Sequence, residues 1–414
     1  MKKRFLTLGL LLALAIITFL DRISISVAAP RIQDELHIPP DKFGWILGAF
    51  VLAYGLFEIP TGALGDRLGQ RRVLTRIVLW WSGFTALTGA ATGFWPLLVT
   101  RFLFGAGEAG AYPNASGVVA RWFPFREHAR TQGFIWAASR FGGALSPLLV
   151  VPLQRALGWR MAFFVLAAVG TAWAVVWRLW FHDDPRKQPG MSAAELAEIP
   201  AAPPIRSHKL PWARMLASPQ LRLIMTMYWC YAWGSWFYFA WFPTYLVKAA
   251  GFTEKEMGIY AALPFLMGTL GNLAGGFLSD RMVAQWGLRR GRVMPAAASL
   301  AGSAALLVAM TLTHDKTAIV ILSSLGFGVA DLMLPMAWAV CLDIGHANAG
   351  LVTGAMNTAG QLGGFVCSVA FGYVVTATHS YRVPVWIIAG LVTLAAYLFT
   401  RINPEKVLEL SDAG

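Results

Sequence analysis

Six charged side chains in the first 140 residues sit where charge is expensive. Asp21 and Arg22, Glu58, Arg101 and Glu108, and Arg140 all fall inside long apolar runs. Arg101 and Glu108 are seven residues apart, about two helical turns, and so share a helix face. A charged side chain inside a bilayer faces a bundle interior or water, and marks an ion or substrate path by default. The chemistry open to such a set is binding rather than bond-making. An arginine fork matches a carboxylate and stays charged, which suits it to an organic anion. A carboxyl that is alternately wetted, buried and paired with arginine can load and release a proton. The same residues could instead form a fixed network that only holds helices together.

Arg22 and Arg140 are the two candidates for meeting an anion. Arg22 either binds substrate or forms a structural pair with Asp21 or Glu108. Arg140 supplies a second positive charge for a dianion, or neutralises Glu58. Asp21 and Glu108 are the candidate proton carriers, with Arg101 tuning or locking Glu108. The second half of the chain has less ionic density. Asn357 and Gln361, four residues apart and on one helix face, and Asn272 could bond hydroxyls of a sugar acid or act as polar glue between helices. Asp331 has no evident role: it pairs with an arginine or faces water. The stretch Tyr228–Tyr245 is dense in aromatic rings, which line a cavity or face lipid. No Ser/His/Asp set, metal-ligand cluster or nucleotide loop is present, so neither an enzyme nor a cofactor is expected.

The elements that must position these side chains are membrane helices. The chain is 57% hydrophobic and 13% charged, about half the charge of a soluble domain. Runs of about 20 apolar residues recur at 5–29, 44–65, 74–94, 96–120, 129–154 and 159–181, then at 219–248, 256–279, 293–313, 317–342, 349–377 and 381–401. The spacing predicts an all-α integral membrane protein of twelve spans, with a six-helix bundle over 1–181, a central linker over 182–218 and a second bundle with a short tail over 219–414. A short helix is expected near Ser192–Glu198. The first run follows MKKR but lacks a small-residue cleavage site, and reads as a retained helix. Cys230, Cys341 and Cys367 lie in apolar segments and are expected as free thiols.

The net charge of +13 is a topology signal. With the N-terminus inside, 23 Lys and Arg fall on the inner side and 8 on the outer. That asymmetry puts both termini and the linker in the cytoplasm, and removes the reason to invoke nucleic acid. The bilayer is the expected partner, and the chain is expected to act as a monomer.

An internal repeat supports two bundles. Gly62-Ala63-Leu64-Gly65-Asp66-Arg67-Leu68-Gly69-Gln70-Arg71-Arg72 recurs in weaker form as Gly276-Phe277-Leu278-Ser279-Asp280-Arg281, 214 residues later. The first copy resembles the loop motif between helices two and three of the major facilitator superfamily. FLDR (Phe19–Arg22), AYGLFEIPTGALGDRLG, RFLFGAGEAGAYPNASGVVARWFP and LDIGHANAGLVTGAMNTAGQLGG resemble, more narrowly, its anion:cation symporter family of galactonate, hexuronate and phthalate transporters and sialic-acid and vesicular glutamate carriers. The resemblance implies substrate contact by Arg22 and Tyr54, proton coupling at Asp21 and Glu108, and a conformational latch at Gly62, Asp66, Arg67, Gly69 and Arg71. Glu58 departs from the glutamine expected there.

The function expected is proton-coupled symport of a small organic anion across a bacterial inner membrane by alternating access, most simply a hexonate or hexuronate. A dicarboxylate or aromatic carboxylate is the alternative substrate. A membrane sensor that binds such a ligand without moving it is the alternative of another class.

Overall fold

The computed structural model describes residues 2–124, 128–199, 218–345 and 349–406, apart from the side chains at positions 59, 63, 66, 67, 128–130, 132 and 349–351. The chain divides into two compact units, Met1–Ile38 with Ala49–Ser207, and Pro39–Gly48 with His208–Gly414.

The first unit is built from α1 (Lys3–Leu36), most of α2 (Pro40–Leu68), α3 (Gln70–Ala90), α4 (Phe94–Glu108), α5 (Ala111–Trp122) and α6 (His128–Trp180). A left-handed Gly158 breaks α6 into two spans. The fourth span is interrupted directly after Glu108. Pro113 has no N–H to give the carbonyl four residues back, so the helix loosens at Ala109–Gly110 and α5 starts afresh. Two glycines set how closely the helices meet. A side chain at Gly105 of α4 would strike the Phe50 carbonyl of α2. One at Gly142 of α6 would strike the Ile16 carbonyl of α1, and Ser146 donates to the Leu20 carbonyl just beyond, at 3.1 Å. Small residues at such crossings let membrane helices approach to backbone distance. They bring α1, α2, α4 and α6 together around positions 19–22.

After Trp180 the chain forms a six-residue helix, α7 (Ala193–Glu198), with Ser192 as its N-cap. This is the short helix expected in the linker. The basic residues of the linker at positions 206, 209 and 214 lie outside the described residues.

The second unit contains α8 (Pro219–Trp236), a π turn (Phe237–Trp241), α9 (Phe242–Lys248), α10 (Glu254–Tyr260), α11 (Leu263–Leu312), α12 (Lys316–Gly345), α13 (Ala349–Thr378) and α14 (Arg382–Arg401). A left-handed Gly287 divides α11. The π turn precedes Pro243, whose ring cannot follow the Phe239 carbonyl in a regular α-turn. The three cysteines are buried and free.

Six stretches among the described residues are long and apolar enough to cross a membrane by length and composition. Two of them, Gly133–Trp180 and Glu254–Leu312, have 48 and 59 residues and hold two crossings each, separated at the left-handed glycines. The remaining spans are α2, some of whose side chains lie outside the described residues, α3, which carries Arg71, Arg72 and Arg76, and the interrupted pairs α4 with α5 and α8 with α9. The architecture is all-helical with twelve spans.

Candidate functional site

The charged side chains of the first unit converge. Arg22 on α1 reaches Glu108, the last residue of α4. Its Nε donates to Glu108 Oε1 at 3.0 Å, and its Nη2 makes a closer contact to the same oxygen. Glu108 is fully buried, and its Oε2 has no hydrogen-bond partner among the described residues. One carboxylate oxygen therefore takes both arginine bonds while the other takes none.

Aromatic rings enclose the guanidinium. Its central carbon lies 4.8 Å from the ring centres of Phe19 and Tyr54 and 5.2 Å from that of Phe50. Phe19 is one turn before Arg22 on α1, and Phe50 and Tyr54 are one turn apart on α2. Ring faces hold a cation without competing for its N–H donors. The arginine thus keeps donor capacity that Glu108 Oε1 does not exhaust.

Arg101 is buried one level away, over Phe104 at 4.3 Å and Phe50 at 5.1 Å. It lies in the electrostatic field of Glu108 and Asp21, but Glu108 makes its ion pair with Arg22. Asp21 is buried, and neither carboxylate oxygen has a hydrogen-bond partner among the described residues. The indole of Trp81 lies beside it, outside hydrogen-bond geometry.

Tyr112 was not singled out by sequence, yet it adjoins this centre. Its ring packs edge-on against Phe19, its hydroxyl pairs with Ser139 at 2.6 Å, and Trp136 stacks on it at 5.0 Å. It lies in the fields of both Arg22 and Arg140, which connects the two arginines through one ring. Glu58 sits one turn beyond Tyr54 on α2, in the field of that tyrosine.

The expected latch is described in part. The side chains of Asp66 and Arg67 lie outside the described residues. Gly62 packs on Pro113. Gly69 is left-handed, with φ of 86°, which a side chain would strain. The Arg71 N–H donates to Asp183 Oδ1 at 2.9 Å, and its guanidinium donates to the Arg178 carbonyl at the end of α6. The α2–α3 connection is therefore tied to the start of the linker within the first unit.

In the second unit Asn357 and Gln361 lie on α13, both half-buried, and Gln361 Oε1 is buried without a partner among the described residues. Asn272 donates to Asp331 at 3.4 Å.

A buried arginine caged by rings and paired with a carboxylate, within a twelve-span helical fold, is the kind of intramembrane charge that marks an ion or substrate path. Residues 11–368 match the Major Facilitator Superfamily, and the chain belongs to it. The chain is 36% identical to the "Probable sulfoacetate transporter SauU" of Cupriavidus necator, over 99% of this chain and 96% of that protein. It is 30% identical to the "Probable L-galactonate transporter" of Escherichia coli, over 97% and 90%, and 28% identical to the "Hexuronate transporter" of Bacillus subtilis, over 93% and 91%. In fold it matches the inward-facing, occupied crystal structure of a bacterial homologue of the human lysosomal transporter Spinster, with a TM-score of 0.79, 18% identity and 99% of each chain covered. The chain is a multi-pass membrane transporter and not an enzyme.

Proposed function

We propose that the protein carries a small organic anion together with protons across the bacterial inner membrane by alternating access, with both termini cytoplasmic. The observation that carries this reading is the asymmetric Arg22–Glu108 pair. While Glu108 is ionised it occupies the Arg22 fork. A proton on Glu108 weakens that pair and frees the fork for an external anion. Binding of anion and proton then support each other, which is the linkage a symporter needs. Asp21, buried next to Arg22 without a donor, is the second proton seat, because a buried neutral carboxyl costs far less than a bare carboxylate. The rings hold the guanidinium in place through both states.

The substrate best supported is a short dianion of the sulfoacetate type. The sulfoacetate relative is the most similar of the three named above, and Arg22 meets aromatic rings and Glu108. Of the two tyrosine hydroxyls there, that of Tyr112 is engaged with Ser139. Arg140, beyond Tyr112, is the second cation such a substrate wants. A hexonate or hexuronate is the second reading. It is favoured by the galactonate and hexuronate relatives. The α2–α3 connection, with Gly62, Asp66, Arg67, Gly69 and Arg71, is the proposed conformational latch.

The test is a thermal-shift screen of purified protein with sulfoacetate, D-galactonate and D-glucuronate, each at acid and neutral pH. Stabilisation should be greatest for sulfoacetate, stronger at acid pH, and absent in Arg22→Ala. No stabilisation by any of the three, or full stabilisation in Arg22→Ala, would remove the anion-binding role.

A further inference from the structure

The Arg22–Glu108 centre leaves one buried acid unused. Asp331 lies midway along α12 and is fully buried. Its Oδ1 accepts the Tyr231 hydroxyl of α8 at 3.2 Å, and its Oδ2 accepts the Asn272 amide of α11 at 3.4 Å. Three helices of the second unit therefore meet on one carboxyl. The site is shaped for it: a side chain at Gly268, one turn before Asn272, would press on Asp331 Oδ2 at 2.9 Å and on the Phe327 ring.

Tyr231 and Asn272 differ in kind from the arginine that meets Glu108. Arginine can only donate, so it favours the ionised acid. A phenol hydroxyl can donate or accept, and an amide presents N–H donors on one side and an acceptor oxygen on the other. The ionised Asp331 accepts from Tyr231 and Asn272 as found. A protonated Asp331 can donate to the Tyr231 oxygen or, after an amide flip, to Asn272 Oδ1. These two groups can serve the acid with and without its proton, and a carboxyl at this depth in a span has reason to exchange one.

Other titratable side chains lie on the same elements. On α8, Tyr228 and Cys230 are the neighbouring titratable side chains, and the Tyr228 ring lies 5.2 Å from that of Tyr231. The π turn brings Tyr238, whose hydroxyl is spent on the Ser323 carbonyl. On α11 the segment 263–276 contains no Asp, Glu, His, Lys or Arg, and neither does α13; on α12 the next titratable residue is Cys341.

We propose that Asp331, held by Tyr231 and Asn272, is a proton-binding site in the second unit, separate from Asp21 and Glu108. It takes up a proton on its carboxylate and releases it during transport, adding one proton to the cycle. The inference extends the proton-coupled reading above, but its first test needs no substrate.

Infrared difference spectra between acid and alkaline pH on lipid-reconstituted protein read protonated carboxyl groups directly. Carbon-13 labelling of aspartate separates Asp from Glu. Wild type should show a pH-dependent aspartic carbonyl band that Asp331→Asn lacks, and Tyr231→Phe, which keeps the acid, should shift its midpoint. The band should persist in Asp21→Asn and in Glu108→Gln. An unchanged aspartic spectrum in Asp331→Asn, with wild-type thermal stability, would overturn the proposal. Should Asp331→Asn fail to fold, an unmoved band in Tyr231→Phe with Asn272→Ala overturns it instead. A sodium-dependent thermal shift that needs Asp331, without a pH-dependent band, would also overturn it in favour of a metal-cation site. Failure of Arg22 to bind any anion leaves this band untouched, so the two readings fail separately.

Discussion

Arg22 carries the argument at the scale of single residues, because it does two things a lysine cannot. It offers a flat face to Phe19, Phe50 and Tyr54 and a fork to Glu108. Arg22→Lys keeps the charge and loses both, so affinity for sulfoacetate should fall by about 1–2 kcal/mol, roughly tenfold. Isothermal titration of the two proteins checks this; equal affinity would mean that charge alone matters. Glu108→Gln cannot release Arg22 by taking up a proton. It should lose pH-driven accumulation in vesicles yet keep counterflow exchange. Accumulation that survives the substitution would take Glu108 out of the coupling path. The charges of this centre were legible as isolated offences against a bilayer. Their pairing was left open among a substrate, Asp21 and Glu108 for Arg22, since Arg22 and Glu108 are 86 residues apart and no local spacing chooses between them. The rings were legible only in part. Tyr54 stood out by motif, whereas Phe19, Phe50 and Tyr112 are ordinary aromatics in a chain with 26 Phe and 10 Tyr. Asn272 read as a group for substrate hydroxyls, and its bond to Asp331 gives it a different neighbour.

Among the elements, the linker is more than a tether. The Glu195 carboxylate of α7 accepts the backbone N–H groups of Lys3 and Arg4, at 3.0 and 2.8 Å, and so caps the N-terminus of α1. Glu198 reaches Lys2 at 2.6 Å and Arg4 at 2.7 Å. A capping carboxylate at a helix start stabilises both through hydrogen bonds and through the helix dipole. Glu195→Ala should lower stability by about 1 kcal/mol, seen as a lower melting temperature. Glu198 behaves differently because it is partly exposed. The Lys2 ammonium, followed by Arg4, holds its carboxyl below the usual glutamate value. A group with a depressed folded value stabilises above its unfolded value and loses that effect as pH falls through the folded one. The tie should therefore be intact at neutral pH and loosen only below the ordinary glutamate range. Hydrogen exchange at 193–199 should rise there in wild type, and already at neutral pH in Glu198→Gln. The Ser192 cap and Glu195 three residues on made this helix readable in sequence. Its docking on α1 was not, because nothing in the linker's own sequence says which charges it meets. The π turn before Pro243 was hidden for a similar reason: proline announces a disturbance without saying how the chain absorbs it.

The whole molecule was legible where a bulk solvent imposes the rule. Apolar runs at bilayer length and basic residues between alternate spans marked twelve crossings, because the hydrocarbon core tolerates nothing else. Coupling belongs to this scale as well, since it is a sum of charges. Sulfoacetate is a dianion. With one proton each on Asp21 and Glu108 it would cross with no net charge, and the membrane potential would do no work on it. A third proton on Asp331 would make each cycle carry one positive charge inward, worth about 2.3 kcal/mol per 100 mV. Reconstituted protein given a sulfoacetate step at acid outside pH should then produce an inward positive current, and an inside-negative potential should speed uptake. Asp331→Asn should abolish the current while pH-driven uptake of labelled sulfoacetate continues. Electroneutral uptake by the wild type would limit the cycle to two protons. A current that survives in Asp331→Asn would place the extra charge elsewhere in the molecule.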